Sequence, residues 1–127
     1  MLGNVPRRLP LRIGFLLLPQ FSMIAFTAAV EPLRLANRTA GKDLYRWILI
    51  GEDGRPVAAS NDIPLHPDVS MADDPQIDAV VVCAGVDAQK AYTRAIASWL
   101  RRLDRRGVDI GAVCTATYVL ARAGLLD

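Results

Sequence analysis

Four short apolar runs alternate along this chain with stretches whose apolar residues recur at helical spacing. No other feature constrains the fold as much. The runs are "RIGFLLL" (12–18), "YRWILIG" (45–51), "IDAVVVC" (77–83) and "VDIGAVC" (108–114). A strand that is apolar at nearly every position has no face for water, so it must be covered on both sides. Strands separated by helices pair in parallel, because each helix carries the chain back to the same end of the sheet. Right-handed crossovers then restrict the topology to a doubly wound sheet. The predicted fold class is α/β: a doubly wound, mostly parallel sheet with helices on both faces. In such sheets ligands bind beyond the carboxyl ends of the strands.

The segments between the runs fit this plan. Ser22 can cap a helix with Phe26, Val30, Leu33 and Ala36 on its apolar face, and Gly41 stops it. Pro32 should bend that helix or end its first half. An Asp-Gly turn in "EDGRPV" (52–57) opens a small β excursion over 57–66, and the polar stretch 68–76, with Pro75, reads as loop. Residues 88–106 read as one helix, with Asp87 as its cap and Gly107 as its stop. Arg101, Arg102, Arg105 and Arg106 fall in its last turns. There they complement the negative helix end and solvate the outer face, a better reading than a nucleic-acid surface. Residues 115–124 form a last helix, stopped by Gly124.

Length and charge bound what such a fold can be. The 127 residues suffice for one domain, and a net charge of +2 is too small to argue for nucleic acid or membrane. No apolar run approaches the roughly 20 residues a bilayer requires. The start "MLGNVPRRLPLRIGFLLL" has the basic and apolar parts of a signal peptide, but Pro19 and Gln20 cut the apolar part short. Residues 1–11 are therefore read as a mobile arm entering a buried strand, and the protein as cytoplasmic. Cys83 and Cys114 lack metal-ligand spacing, and two thiols without secretory signs fit a reducing compartment. No metal or cofactor is expected.

Cys114 carries the chemistry worth weighing. It ends a strand run and precedes a helix, with the small residues Ala112 and Ala116 two positions to either side. A nucleophile elbow needs this arrangement, because its strained backbone leaves no room for bulk. Helix N–H groups beyond it favour thiolate and can bind an anion. Gly85, after "VVVCA", can bring a second N–H close, and Cys83 ends the neighbouring run. Against this, cysteine is often a small buried hydrophobe. A nucleophile also needs a base, and the one histidine, His66, lies in the β excursion. Both readings of Cys114 stand at this point, as does a transient disulfide with Cys83.

The stretches "RIGFLLLPQFSMIAFTAAVEPLRLANR", "YRWILIGEDGRPVAASNDIPL", "IDAVVVCAGVD" and "DIGAVCTATYVLARAGLLD" together resemble the N-terminal domain of GlxA-type transcriptional regulators. These are AraC-family proteins with a ThiJ/PfpI-like (class I glutamine amidotransferase-like) domain ahead of a helix-turn-helix domain. The resemblance implies a flavodoxin-like sandwich over 12–127 that forms a homodimer and senses a small-molecule effector, such as an amine or amino-acid derivative. DNA would be bound only through a helix-turn-helix domain beyond Asp127, and no membrane is involved. It places Cys114 on the elbow, Thr115 on the N–H that follows, and Gly85 opposite. The expected ligand-binding set is Gly85, Cys83, Cys114 and Thr115, with Cys114 the candidate nucleophile. Enzymes of the superfamily carry an acid early in the first helix, where this chain has Ala25, with Glu31 about two turns on. The residue two after the elbow, commonly Gly, is Ala116. The family's histidine, a strand and a helix would follow Asp127. The resemblance therefore implies a catalytically inactive sensor; the alternative is a Cys114-dependent hydrolase, deglycase or glyoxalase-like enzyme.

Overall fold

A computed structural model describes residues 8–126. Five strands form the main sheet, in the order β5-β2-β1-β6-β7: β1 (Leu11–Leu17), β2 (Tyr45–Gly51), β5 (Val69–Ser70), β6 (Ala79–Cys83) and β7 (Asp109–Val113). Every pairing in it is parallel. A separate antiparallel pair, β3 (Val57–Ala58) and β4 (Pro64–Leu65), makes the excursion expected from the Asp-Gly turn. The four apolar runs are the four long strands of the sheet.

The pleat sorts the apolar residues into two cores. Ile13, Phe15 and Leu17 of β1, with Ala79 and Cys83 of β6, pack with Phe26 of helix α1 (Met23–Ala40). Leu16, Leu18, Val80, Val82 and Ala84 face the other way, onto Ile96, Trp99, Leu100 and Leu103 of α3 (Arg94–Arg105) and Val119 and Leu120 of α4 (Thr117–Arg122). Period-two alternation within a fully apolar strand thus supplies both layers.

Ser22 caps α1, its hydroxyl accepting the Ala25 N–H at 3.2 Å, and Gly41 closes it in the left-handed region at φ +68°. Pro32 does not end the helix, which runs on to Ala40. Apolar packing of Ala29, Val30 and Leu33 on the sheet outweighs the one backbone bond that Pro32 forfeits. Asn37 fixes the return to β2: its side-chain oxygen accepts the Leu44 and Tyr45 N–H groups, each at 2.9 Å, and its amide donates to the Tyr45 carbonyl at 2.8 Å.

Three expectations need correction. Residues 88–106 are not one helix. A four-residue turn of helix, α2 (Ala88–Ala91), is followed by extended Tyr92 and Thr93, and α3 starts afresh. Asp87 sits in the left-handed region and makes no side-chain cap bond, while Thr93 accepts the Ile96 N–H at 3.1 Å and is the true cap. Second, residues 68–76 are not all loop. Asp68 exchanges bonds with Leu49, one backbone N–H and one carboxylate contact, both 2.8 Å, and so brings Val69–Ser70 in as an edge strand. Third, the arm proposed for 1–11 ends sooner, since Leu11 already pairs with Tyr45; residues 1–7 lie outside the described residues. No helix among the described residues is long and apolar enough to cross a membrane.

Candidate functional site

β7 ends in an extended residue, Val113 (φ −123°), and the chain then turns sharply at Cys114 (φ +57°). A side chain in that region is strained by about 1–2 kcal/mol, which is the backbone signature of an elbow. A 3-10 turn, Cys114–Ala116, leads into α4. Ala116 is fully buried in the core, so the small residue is needed for packing beneath the turn. The Cys114 side chain is exposed. Among the described residues it is not a core side chain. α4 has only six residues, so the electrostatic help expected from a helix end is confined to the few N–H groups of the turn itself.

Thr115 and Gly85 meet here. The Thr115 hydroxyl donates to the Gly85 carbonyl at 2.6 Å, tying the elbow to the loop after β6. Gly85 is buried, and a β-carbon on it would overlap the Gln20 carbonyl oxygen and press on the Ser22 nitrogen. Its lack of a side chain is therefore used for close approach to the chain's own turn after β1. Phe21 stitches that turn down: it bridges to Gly85 and to Ala59, and its carbonyl accepts the Ser60 N–H at 2.9 Å.

Cys83 is placed differently from the other three. It pairs with Val113 in the ladder, but its side chain points into the α1 core and is 0% exposed. Its thiol donates weakly to the Val81 carbonyl at 3.8 Å, and burial pushes its pKa up to about 12. A neutral, enclosed thiol cannot touch a ligand in the crevice. The expected set of four thus resolves into an exposed elbow pair, Cys114 and Thr115, a structural glycine, and a core cysteine.

The acid that enzymes of the superfamily carry early in the first helix has no counterpart in α1. The first turn of α1 contains no acidic residue. Glu31 is on the solvent side, where Arg34 binds it at 2.8 and 2.9 Å and lowers its pKa. His66 is exposed, in β4's exit from the excursion. Among the described residues no group of His, Cys, Asp or Glu is arranged to hold a metal ion.

One cavity escaped the sequence reading. A cleft of about 640 Å³ opens beside the carboxyl end of β2, lined by Glu52, Asp53, Met71, Ser98, Trp99 and Arg102 among others. Glu52 accepts the Thr93 hydroxyl at 2.8 Å. The Trp99 indole N–H is buried and has no partner among the described residues. Its residues come from three separate segments with no shared motif, so no local signal marked them.

A profile of the DJ-1/PfpI family matches residues 11–127. The HTH-type transcriptional regulator GbdR of Pseudomonas aeruginosa is 48% identical over 120 residues, which cover 94% of this chain and 33% of that protein. GlxA of Rhizobium meliloti, also an HTH-type transcriptional regulator, is 39% identical over 91% of this chain and 36% of its own length. The crystal structure of an AraC family transcriptional regulator from Pseudomonas putida superposes with a TM-score of 0.81 at 29% identity, covering 93% of this chain and 63% of that one. The chain spans about a third of the length of the curated relatives it matches. On the sheet, the elbow and the match along nearly its full length, the chain belongs to the DJ-1/PfpI family.

Proposed function

We propose that this chain is the effector-sensing domain of a cytoplasmic AraC-type transcription regulator, and that its elbow binds a ligand without transforming it. The observation that carries the reading is an exposed Cys114 in the left-handed region at the end of β7, together with a first turn of α1 that holds no acid. An elbow keeps its anion-binding N–H groups whether or not chemistry follows. A first turn of α1 without an acid removes the proton carrier that enzymes of the superfamily place there. The regulators at 48% and 39% identity support the same role. The effector is a small polar or anionic metabolite, an amine or amino-acid derivative, held by the N–H of Thr115 and contacts from Cys114 and the Gly85 loop. The domain works as a homodimer, and DNA is bound by a helix-turn-helix domain outside this chain.

Thermal unfolding in the presence of a panel of amines and amino acids tests this reading. A true effector at 100 times its dissociation constant stabilises by about 2.7 kcal/mol; a panel without any saturable shift contradicts it. The open Cys114 favours a second reading, a Cys-dependent hydrolase, deglycase or glyoxalase-like enzyme. Turnover of the corresponding substrates that vanishes in Cys114→Ala would establish that reading in place of the first.

A further inference from the structure

The amino end of the sheet, opposite the elbow, carries a cluster that sensing at the elbow does not use. Arg12 of β1 and Arg46 of β2 are register partners. Their side chains leave neighbouring strands side by side, about 4.8 Å apart along the ladder. Like charges so placed repel one another. The ion pairs that hold them are loose. Arg12 Nε is 3.9 Å from Asp78, and Arg46 is 3.5 Å from Asp43, with the two arginine side chains 52% and 68% exposed. The Asp78 oxygen nearest Arg12 already accepts that residue's backbone N–H at 2.8 Å.

A concave site lies over this pair. Arg8, Leu9, Pro10, Arg12, Arg46 and Asp78 line a cavity of about 290 Å³. A second hollow of about 140 Å³, reaching Ile48 and Gln76, shares its Arg12 and Arg46 walls. Three arginines and Asp78 line the larger cavity, and Asp43 lies beside Arg46, so these side chains leave a surplus of one positive charge. Guanidinium forks match the paired oxygens of a phosphate or carboxylate, and two forks side by side can share one tetrahedral anion.

We propose that this trough binds a small tetrahedral oxyanion of the phosphate class. A tetrahedral anion between the two forks offsets the surplus and relieves the Arg12–Arg46 repulsion, whereas a planar carboxylate has only two oxygens to share between them. Phosphate can come as a free metabolite or as a DNA backbone. The recessed shape favours the free group, since a duplex presents its phosphates on a convex surface.

The test is thermal unfolding of this chain against inorganic phosphate at about pH 8, with sodium chloride holding ionic strength constant. A saturable rise in melting temperature is expected. Arg46→Gln should be at least as stable as the parent without phosphate, because a repulsion has been removed, and should need at least about tenfold more phosphate for the half-maximal shift. Arg46→Lys, which keeps the charge but not the fork, serves as the second variant and should weaken the midpoint by a smaller factor. A shift that does not saturate, or the same midpoint in parent and both variants, overturns the proposal. So does Arg46-dependent binding of a duplex DNA without any response to free phosphate.

Discussion

At the scale of the residue, the elbow is defined by one dihedral and one hydrogen bond. Cys114 at φ +57° carries strain that a glycine would not. Glycine's greater freedom in the unfolded chain offsets about 0.5–1 kcal/mol of that relief. Cys114→Gly is therefore expected to be as stable as the parent or more so, by up to about 1 kcal/mol, and Cys114→Val less stable; urea denaturation compares them. Gly85→Ala meets backbone atoms that cannot rotate away, so a loss of about 1–3 kcal/mol is expected in the same experiment. Cys83 gives a pH test. Its thiol keeps its proton in the fold up to about 12, while the unfolded thiol ionises near 9.0. Between those values the unfolded state binds fewer protons, so stability falls as pH rises. The stability advantage of the parent over Cys83→Ala should narrow between pH 8 and pH 10.5; an unchanged gap would show that burial does not hold the thiol neutral. None of this burial was legible in the sequence, where Cys83 and Cys114 both end apolar runs. The pleat separates them, sending one side chain into the α1 core and leaving the other on a turn.

At the scale of the element, period and capping were readable wherever a single local signal decided the outcome. The run "YRWILIG" is β2 residue for residue, and Ser22 and Gly41 bound α1 as their chemistry requires. The reading failed where two local signals competed. Apolar spacing over 88–106 ran through Thr93, but a threonine hydroxyl that caps Ile96 and also donates to Glu52 restarts the helix there. Edge strand β5 failed for another reason: its pairing depends on Asp68 reaching back to Leu49, a contact across nineteen residues that no local pattern records. Asn37 is the clearest case of an element held by one side chain. Asn37→Ala removes three hydrogen bonds between α1 and β2. A loss of about 1–3 kcal/mol is expected from chemical denaturation, with Asn37→Asp recovering part of it through the two bonds its oxygen can still accept.

At the scale of the whole molecule, the layered sheet separates two ends with different chemistry. The carboxyl end holds the elbow and the Gly85 loop; the amino end holds the arginine pair. The first was foreseeable because parallel sheets place ligands beyond their carboxyl ends, and because small residues around Cys114 follow the elbow pattern. The second was not, because Arg12 and Arg46 lie 34 positions apart in the sequence and become neighbours only through the β1–β2 register. The exposed arginines in α3 and just after it are in part absorbed structurally. Arg106 pairs with Asp74 at 2.8 Å, and Arg101 donates to the Ala123 carbonyl at 2.8 Å. This chain alone is accordingly expected to show no sequence-specific DNA affinity, and a salt-resistant preference for one duplex over a scrambled one would contradict that.

In the proposed function the elbow binds its ligand rather than transforming it. Its most direct measurement is the ligand-induced thermal shift of Cys114→Ala beside that of the parent, with the ligand recovered and weighed by mass spectrometry afterwards. The shift is expected to survive the substitution, with a dissociation constant within a few fold, and the ligand to be recovered unchanged from both proteins. A ligand chemically altered by the parent and left intact by Cys114→Ala would contradict it.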